Sequence, residues 1–197
     1  GIMARKDLSE LLDMVVQVRV HSNKRVLHDT SMFVARDEWV HNENCTPSYI
    51  TLEDEYPVDD IKFSVYTETP ELLEEIEDAP CKKVYYHSAL LKSNCRVTSQ
   101  PDWGDVYIYM KGMNTVDPIS LLQYIVSFRD ECHFHEEICE TIYKRLMDAI
   151  NPDELCVRCL YARRGGIDIN PERASHERLL HHTLSQVDVP HIKTPKQ

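Results

Sequence analysis

Phe134, Ile138, Ile142 and Leu146 recur every fourth residue, and Leu121, Leu122, Ile125 and Phe128 line one face of the segment before them. Apolar residues at that spacing predict two successive amphipathic helices, each with one stripe that must be buried. Asp117-Pro118 starts the first and Asn151-Pro152 stops the second. Residues 105–111 and 155–161 flank the pair and read as strands. Strand, helix, helix, strand is an α+β layout, with the helices packed on one face of an antiparallel sheet.

Upstream, residues 61–66 alternate cleanly and predict a strand, as do residues 81–87 around Val84-Tyr85-Tyr86. Weaker strand candidates are 14–20 and 31–35, and 36–60 reads as an acidic connector with short extended pieces. Thr69-Pro70 followed by acidic residues predicts a short helix over 69–77. Lys92–Arg96 and Gln100–Gly104 are read as polar loops, and the chain from about 176 as an extended tail.

The chain of 197 residues is long enough to bury a core without staples, and its net charge of −11 argues against nucleic acid or an acidic membrane as partner. A small, near-neutral heterocycle is compatible with that charge. No apolar run reaches membrane-span length and the first residues lack a signal's apolar stretch, so the cytoplasm is the expected location. The seven cysteines are then read as mostly reduced, buried thiols.

Cys95 sits between Lys92 and Arg96, with Asp102 further along the chain. Nearby cations favour the nucleophilic thiolate, although a loop cysteine is often inert. Asp102 follows Pro101 and precedes Trp103, which could wall off an acid able to donate a proton; a turn aspartate satisfying its own loop is the plainer reading. His135-Glu136 opens the second helix, where Glu136 either compensates the helix dipole or, with His135, grips a guanine-like edge. Arg163-Arg164-Gly165-Gly166 is either a solvated turn or a phosphate contact. Cys156 and Cys159 match zinc spacing, but three residues apart on a strand they face opposite ways. Cys132, His135 and Cys139 could share a helix face as zinc ligands; the preferred reading assigns no metal.

Five ordered blocks, Leu91-Lys92-Ser93-Asn94-Cys95, Gln100-Pro101-Asp102-Trp103-Gly104, Ser127-Phe128-Arg129, Phe134-His135-Glu136 and Arg163–Pro171, closely resemble the QueF family of NADPH-dependent 7-cyano-7-deazaguanine reductases. The resemblance covers about residues 83–173. It implies the tunnelling fold, an antiparallel sheet with two helices that assembles into barrels, and hence a homo-oligomer. It implies that Cys95 attacks the substrate nitrile to form a thioimide, that Asp102 donates a proton, and that His135 and Glu136 hold the deazaguanine. It also implies that Arg164 and Gly165 contact NADPH, whose two hydrides yield the aminomethyl product on the route to queuosine.

Single-module members carry Glu and Lys in a cofactor motif where this chain has Asp117–Tyr124, with neither residue type. The sequence therefore looks like the C-terminal module of a two-module member. Residues 1–60 are then the tail of an N-terminal module plus connector, 61–175 the catalytic module, and 176–197 the tail.

Overall fold

A computed structural model describes residues 2–16, 18, 49–78 and 83–180. The elements in chain order are α1 (Ile2–Leu12), β1 (Ile50–Thr51), a single-turn α2 (Leu52–Glu55), β2 (Glu75–Ile76), β3 (Lys83–Cys95) and β4 (Pro101–Lys111). There follow β5 (Thr115–Val116), α3 (Pro118–Ser127), β6 (Cys132–His133), α4 (His135–Ile150), β7 (Glu154–Tyr161) and β8 (Glu172–Ala174). The main sheet runs β1-β3-β4-β7-β8, antiparallel from β3 onward. β1 and β6 both pair parallel to β3, at Tyr86–His87 and at Asn94–Cys95 respectively. The expected α+β architecture, two helices on one face of an antiparallel sheet, is what the chain adopts.

Both helices form where periodicity places them. Asp117 caps α3 by accepting the Ser120 N–H at 2.8 Å, and Pro118 fills the first helical position, where its missing N–H costs nothing. In α4 the Phe134 N–H donates to Glu137 Oε2 at 2.8 Å, and Asn151 closes the helix in the left-handed region, φ 49°. Ile138, Ile142 and Leu146 are fully buried; Phe134, just outside the helix, is not. Their stripe meets Val106, Ile108 and Met110 of β4 and Leu155, Val157, Cys159 and Tyr161 of β7. Each fully buried aliphatic side chain contributes about 1.5–3 kcal/mol. The opposite face of the sheet carries a smaller cluster of Tyr109, Cys156 and Leu179. Cys156 and Cys159 thus point to opposite faces, as a strand requires.

Several local expectations differ. Met14, Val15, Val16 and Val18 join no strand: Ser9 takes the amides of Met14 and Val16 through its carbonyl and hydroxyl, turning the chain after α1. Residues 19–20 and the strand expected at 31–35 lie outside the described residues. Residues 61–66 do alternate between half-buried and exposed, but they lie along α3, where Gln123 Nε2 donates to the Lys62 carbonyl at 3.1 Å. A helix surface offers side chains but no free ladder, so no strand forms.

Residues 69–77 make one 3₁₀ turn, Pro70–Leu72, and then β2, which pairs with β5. That pairing overrides the local helix signals. Lys92–Cys95 and Pro101–Gly104 are not loops: β3 and β4 continue through them, with Ser93 opposite Asp102 and Leu91 opposite Gly104. β8 carries no sequence signal at three residues long. Leu179, in the expected tail, is 3% exposed. Among the described residues, no helix is long and apolar enough to cross a membrane.

Glu154 ties this end of the chain down. It accepts from Tyr109 Oη at 2.9 Å, Lys111 Nζ at 2.7 Å and Arg178 Nη2 at 3.0 Å. Burial pushes its carboxyl up, but the hydrogen bonds from Arg178, Lys111 and Tyr109 outweigh burial and hold it at about 2. A depressed carboxyl contributes stability that is full above its unfolded value and is lost as pH falls through the folded one. Glu154→Gln is therefore expected to lower stability by up to about 3 kcal/mol at pH 7. In thermal melts the gap between variant and wild type should close as pH drops from about 5 to about 2.

Candidate functional site

The β3–β4 hairpin brings the sequence's first two site candidates together. The Cys95 N–H donates to the Gln100 carbonyl at 2.8 Å and the Ser99 N–H to the Cys95 carbonyl at 2.8 Å, a tight tip that requires φ 54° at Ser99. The half-buried Cys95 thiol stands on this turn. The Thr98 hydroxyl first, then the amides of Thr98 and Val97, donate to the sulfur and draw its pKa below the ordinary thiol value; burial and the Asp102 carboxylate push the other way.

The cations expected to activate this thiol are engaged elsewhere. Lys92 Nζ donates to the Arg129 carbonyl at 2.5 Å, beside Asn94 Nδ2 at 3.1 Å. Arg96 pairs with Glu137 at 2.9 Å and lies over the Phe134 ring, pinning the hairpin tip to the start of α4. Turn hydrogen bonds, not neighbouring cations, lower the pKa of this thiol.

Asp102 is 3% exposed and its Oδ1 lies 3.1 Å from His135 Nε2. His135, at the first position of α4, stacks on Tyr161 with ring centroids 4.0 Å apart and planes 7° from parallel. Tyr161 in turn lies against Gly104: a Cβ at position 104 would stand 3.0 Å from its ring, so glycine is what lets the ring seat under His135. The apolar wall of the site is therefore Tyr161. Trp103, expected in that role, is the neighbouring strand residue and is 44% exposed.

Arg164 closes the far side of Asp102. Its Nε donates to Oδ1 at 2.8 Å and its Nη2 reaches the same oxygen, while Nη1 meets Gln100 Oε1. Arg163 pairs with both oxygens of Asp168, Nε donating to Oδ1 at 2.6 Å and Nη2 to Oδ2 at 3.2 Å. Gly165 and Gly166 adopt φ 57° and 81° in the turn that returns the chain from Arg164 to Ile167, with open space around both. Both guanidiniums beside this turn are already neutralised. A dinucleotide phosphate at this turn would share the guanidiniums with those carboxylates or meet the backbone amides of the turn.

The expected His135–Glu136 pair splits. His135 faces inward to Asp102, whereas Glu136 is exposed at the first turn of α4. The three-ligand zinc reading also comes apart. Cys132 is exposed on β6, ahead of the helix, and the fully buried Cys139 thiol donates to the Val157 and Pro171 carbonyls at 3.5 and 3.4 Å. Among the described residues no three of His, Cys, Asp and Glu gather as a metal site needs. Sequence reasoning missed Thr98, Tyr161 and the Arg164–Asp102 pair. Only the Thr98 position, three residues after Cys95, carried a signal, since hydroxyls often close such turns.

A family model described as QueF-like protein matches residues 101–179. An NADPH-dependent 7-cyano-7-deazaguanine reductase of Polaromonas naphthalenivorans (strain CJ2) is 48% identical over 117 residues, 59% of this chain and 41% of that protein. A protein of the same name from Coxiella burnetii (strain RSA 331 / Henzerling II) is 38% identical over 146 residues, 68% of this chain and 51% of that protein. The solved apo form of an archaeosine synthase QueF-Like superposes on 49% of this chain and 96% of its own, at 17% identity and a TM-score of 0.46. The chain thus spans about half the length of the curated relatives it matches. Residues 101–179 are thus similar to the QueF-like family.

Proposed function

We propose that this chain is the nitrile-capturing part of an NADPH-dependent 7-cyano-7-deazaguanine reductase, working in the cytoplasm on the route to queuosine. One observation carries the reading: a thiol acidified by its own turn lies within reach of the charge of a buried Asp102–His135 pair. The names of the relatives support the substrate.

The Cys95 thiolate attacks the nitrile carbon, forming a C–S bond. One C≡N π pair moves to nitrogen, which takes a proton from Asp102 and leaves a neutral thioimide. His135, 3.1 Å away, can return a proton to Asp102. Tyr161 fixes the imidazole plane by stacking. The Glu136 carboxylate, free to accept, takes the ring N–H and amino group of the deazaguanine edge.

NADPH supplies hydride when bound. The residues of this chain expected to meet it are Gly165 and Arg164, the latter paired with Asp102. Further contacts to it would come from a second copy in a homo-oligomer. The same reading makes residues 61–175 the catalytic module, preceded by the tail of an N-terminal one and followed by the tail 176–197.

Incubation of the chain with 7-cyano-7-deazaguanine is expected to add one substrate mass to the peptide containing Cys95. Substrate that binds without adding mass anywhere sinks the covalent reading and leaves a binding module.

A further inference from the structure

One oxygen of Asp102 carries most of the polar contacts at the centre of the site. Oδ1 accepts Nε of Arg164 at 2.8 Å and Nη2 as well, and His135 Nε2 lies 3.1 Å from the same atom. The remaining donors of Arg164 hold the hairpin itself, through Gln100 Oε1 and, at 3.4 Å each, the carbonyls of Gln100 and Pro101. The groups that face Asp102 come from every element around it. His135 comes from α4, Arg164 from the turn after β7, Tyr161 from β7 and the Cys95 thiol from the end of β3.

A guanidinium fork on a nearly buried carboxylate is a strong, charge-assisted contact. Protonating Asp102 means giving that contact up, yet nitrile capture needs a proton from the same carboxyl. The arginine's backbone is fixed meanwhile, because its N–H and carbonyl bridge to Ile167 at 3.0 Å in both directions.

We propose that Arg164 is a positioning residue for Asp102: its counter-ion, seating the carboxylate beside Cys95 and restraining how readily it carries the proton that the nitrile nitrogen takes. The proposal rests on the nitrile-capture reading for its consequence, but the pairing itself can be tested without it. It differs from the role that the family resemblance implies for Arg164, contact with the cofactor. Adduct formation consumes no reductant, so a residue that only held the cofactor would leave its rate alone.

Two measurements on the whole chain decide the matter. In the first, adduct formation at pH 7 is timed with 7-cyano-7-deazaguanine and no dinucleotide. Arg164→Gln removes the counter-ion and is expected to speed adduct formation on the order of tenfold, because the carboxyl takes up a proton more easily. Arg164→Lys keeps the charge and should stay within about threefold of wild type. An unchanged or slower rate in Arg164→Gln overturns the proposal.

In the second, the aspartate carboxyl carbons are labelled with ¹³C and Asp102 is assigned with Asp102→Asn. At pH 7 the Asp102 resonance is expected to move in Arg164→Gln and to stay near its wild-type position in Arg164→Lys, and no movement in Arg164→Gln rejects the counter-ion role. If wild type forms no adduct, the nitrile reading falls, while the resonance still rules on Arg164.

Discussion

Cys95→Ala is expected to abolish the adduct that 7-cyano-7-deazaguanine leaves on this chain, with a loss of at least about a hundredfold in labelling rate. No other described thiol can stand in. Cys139, Cys156 and Cys159 are buried, and burial pushes the last two thiols up, away from the nucleophilic form. Cys132 is exposed but faces away from the hairpin tip: its strand neighbour on β3 is Asn94, whereas Cys95 pairs with His133. Because successive strand residues point to opposite faces, Cys95 and Cys132 do not share a face. The alanine variant keeps the backbone of the turn, so calorimetry should still detect substrate binding, without the contribution of the covalent step. Mass adding to another cysteine in the variant, at the wild-type rate, would move the chemistry elsewhere.

Asp102→Asn separates the nucleophile from its acid. Asparagine keeps the shape and one acceptor for Arg164 but has no acidic proton, so adduct formation should slow by roughly 10² to 10⁴. The same substitution should make Cys95 more reactive toward a simple alkylating agent. The Asp102 carboxylate pushes the Cys95 thiol up, and removing its charge lets more thiolate form at pH 7. Peptide-resolved labelling with iodoacetamide beside the nitrile assay therefore reads two rates that move in opposite directions. A general loosening of the hairpin would slow nitrile capture without accelerating alkylation, and a fall in both rates would contradict the acid role.

Much of the architecture was legible because it depends on periodicity. The 3.6-residue stripes of α3 and α4 and the alternation in β4 and β7 each express a need to bury one face, and that need survives any change of neighbours. The misreadings fall where neighbours decide. The 61–66 segment has the right alternation and no free edge to pair with, whereas 69–77 has helix signals and a β5 edge that claims it. Lys92–Cys95 reads as polar loop because polar residues are rare in strands, yet its backbone pairs with β4 and β6, and Lys92 and Asn94 donate to the Arg129 carbonyl.

The two helices, the strands β4 and β7 that frame them, and the chemically marked residues Cys95, Asp102, His135, Glu136 and Arg164 could all be read along the chain. Residue types and local spacing carry that information, and both are written along one dimension. Which side chain faces which was set by folding. It placed Arg164 on Asp102 instead of beside an open phosphate site, turned His135 inward and Glu136 outward, and gave the thiolate its support from Thr98 instead of Lys92 and Arg96. Ion pairs form between groups 62 residues apart, where no sequence period reaches, and a guanidinium takes the nearest buried carboxylate that the folded sheet presents.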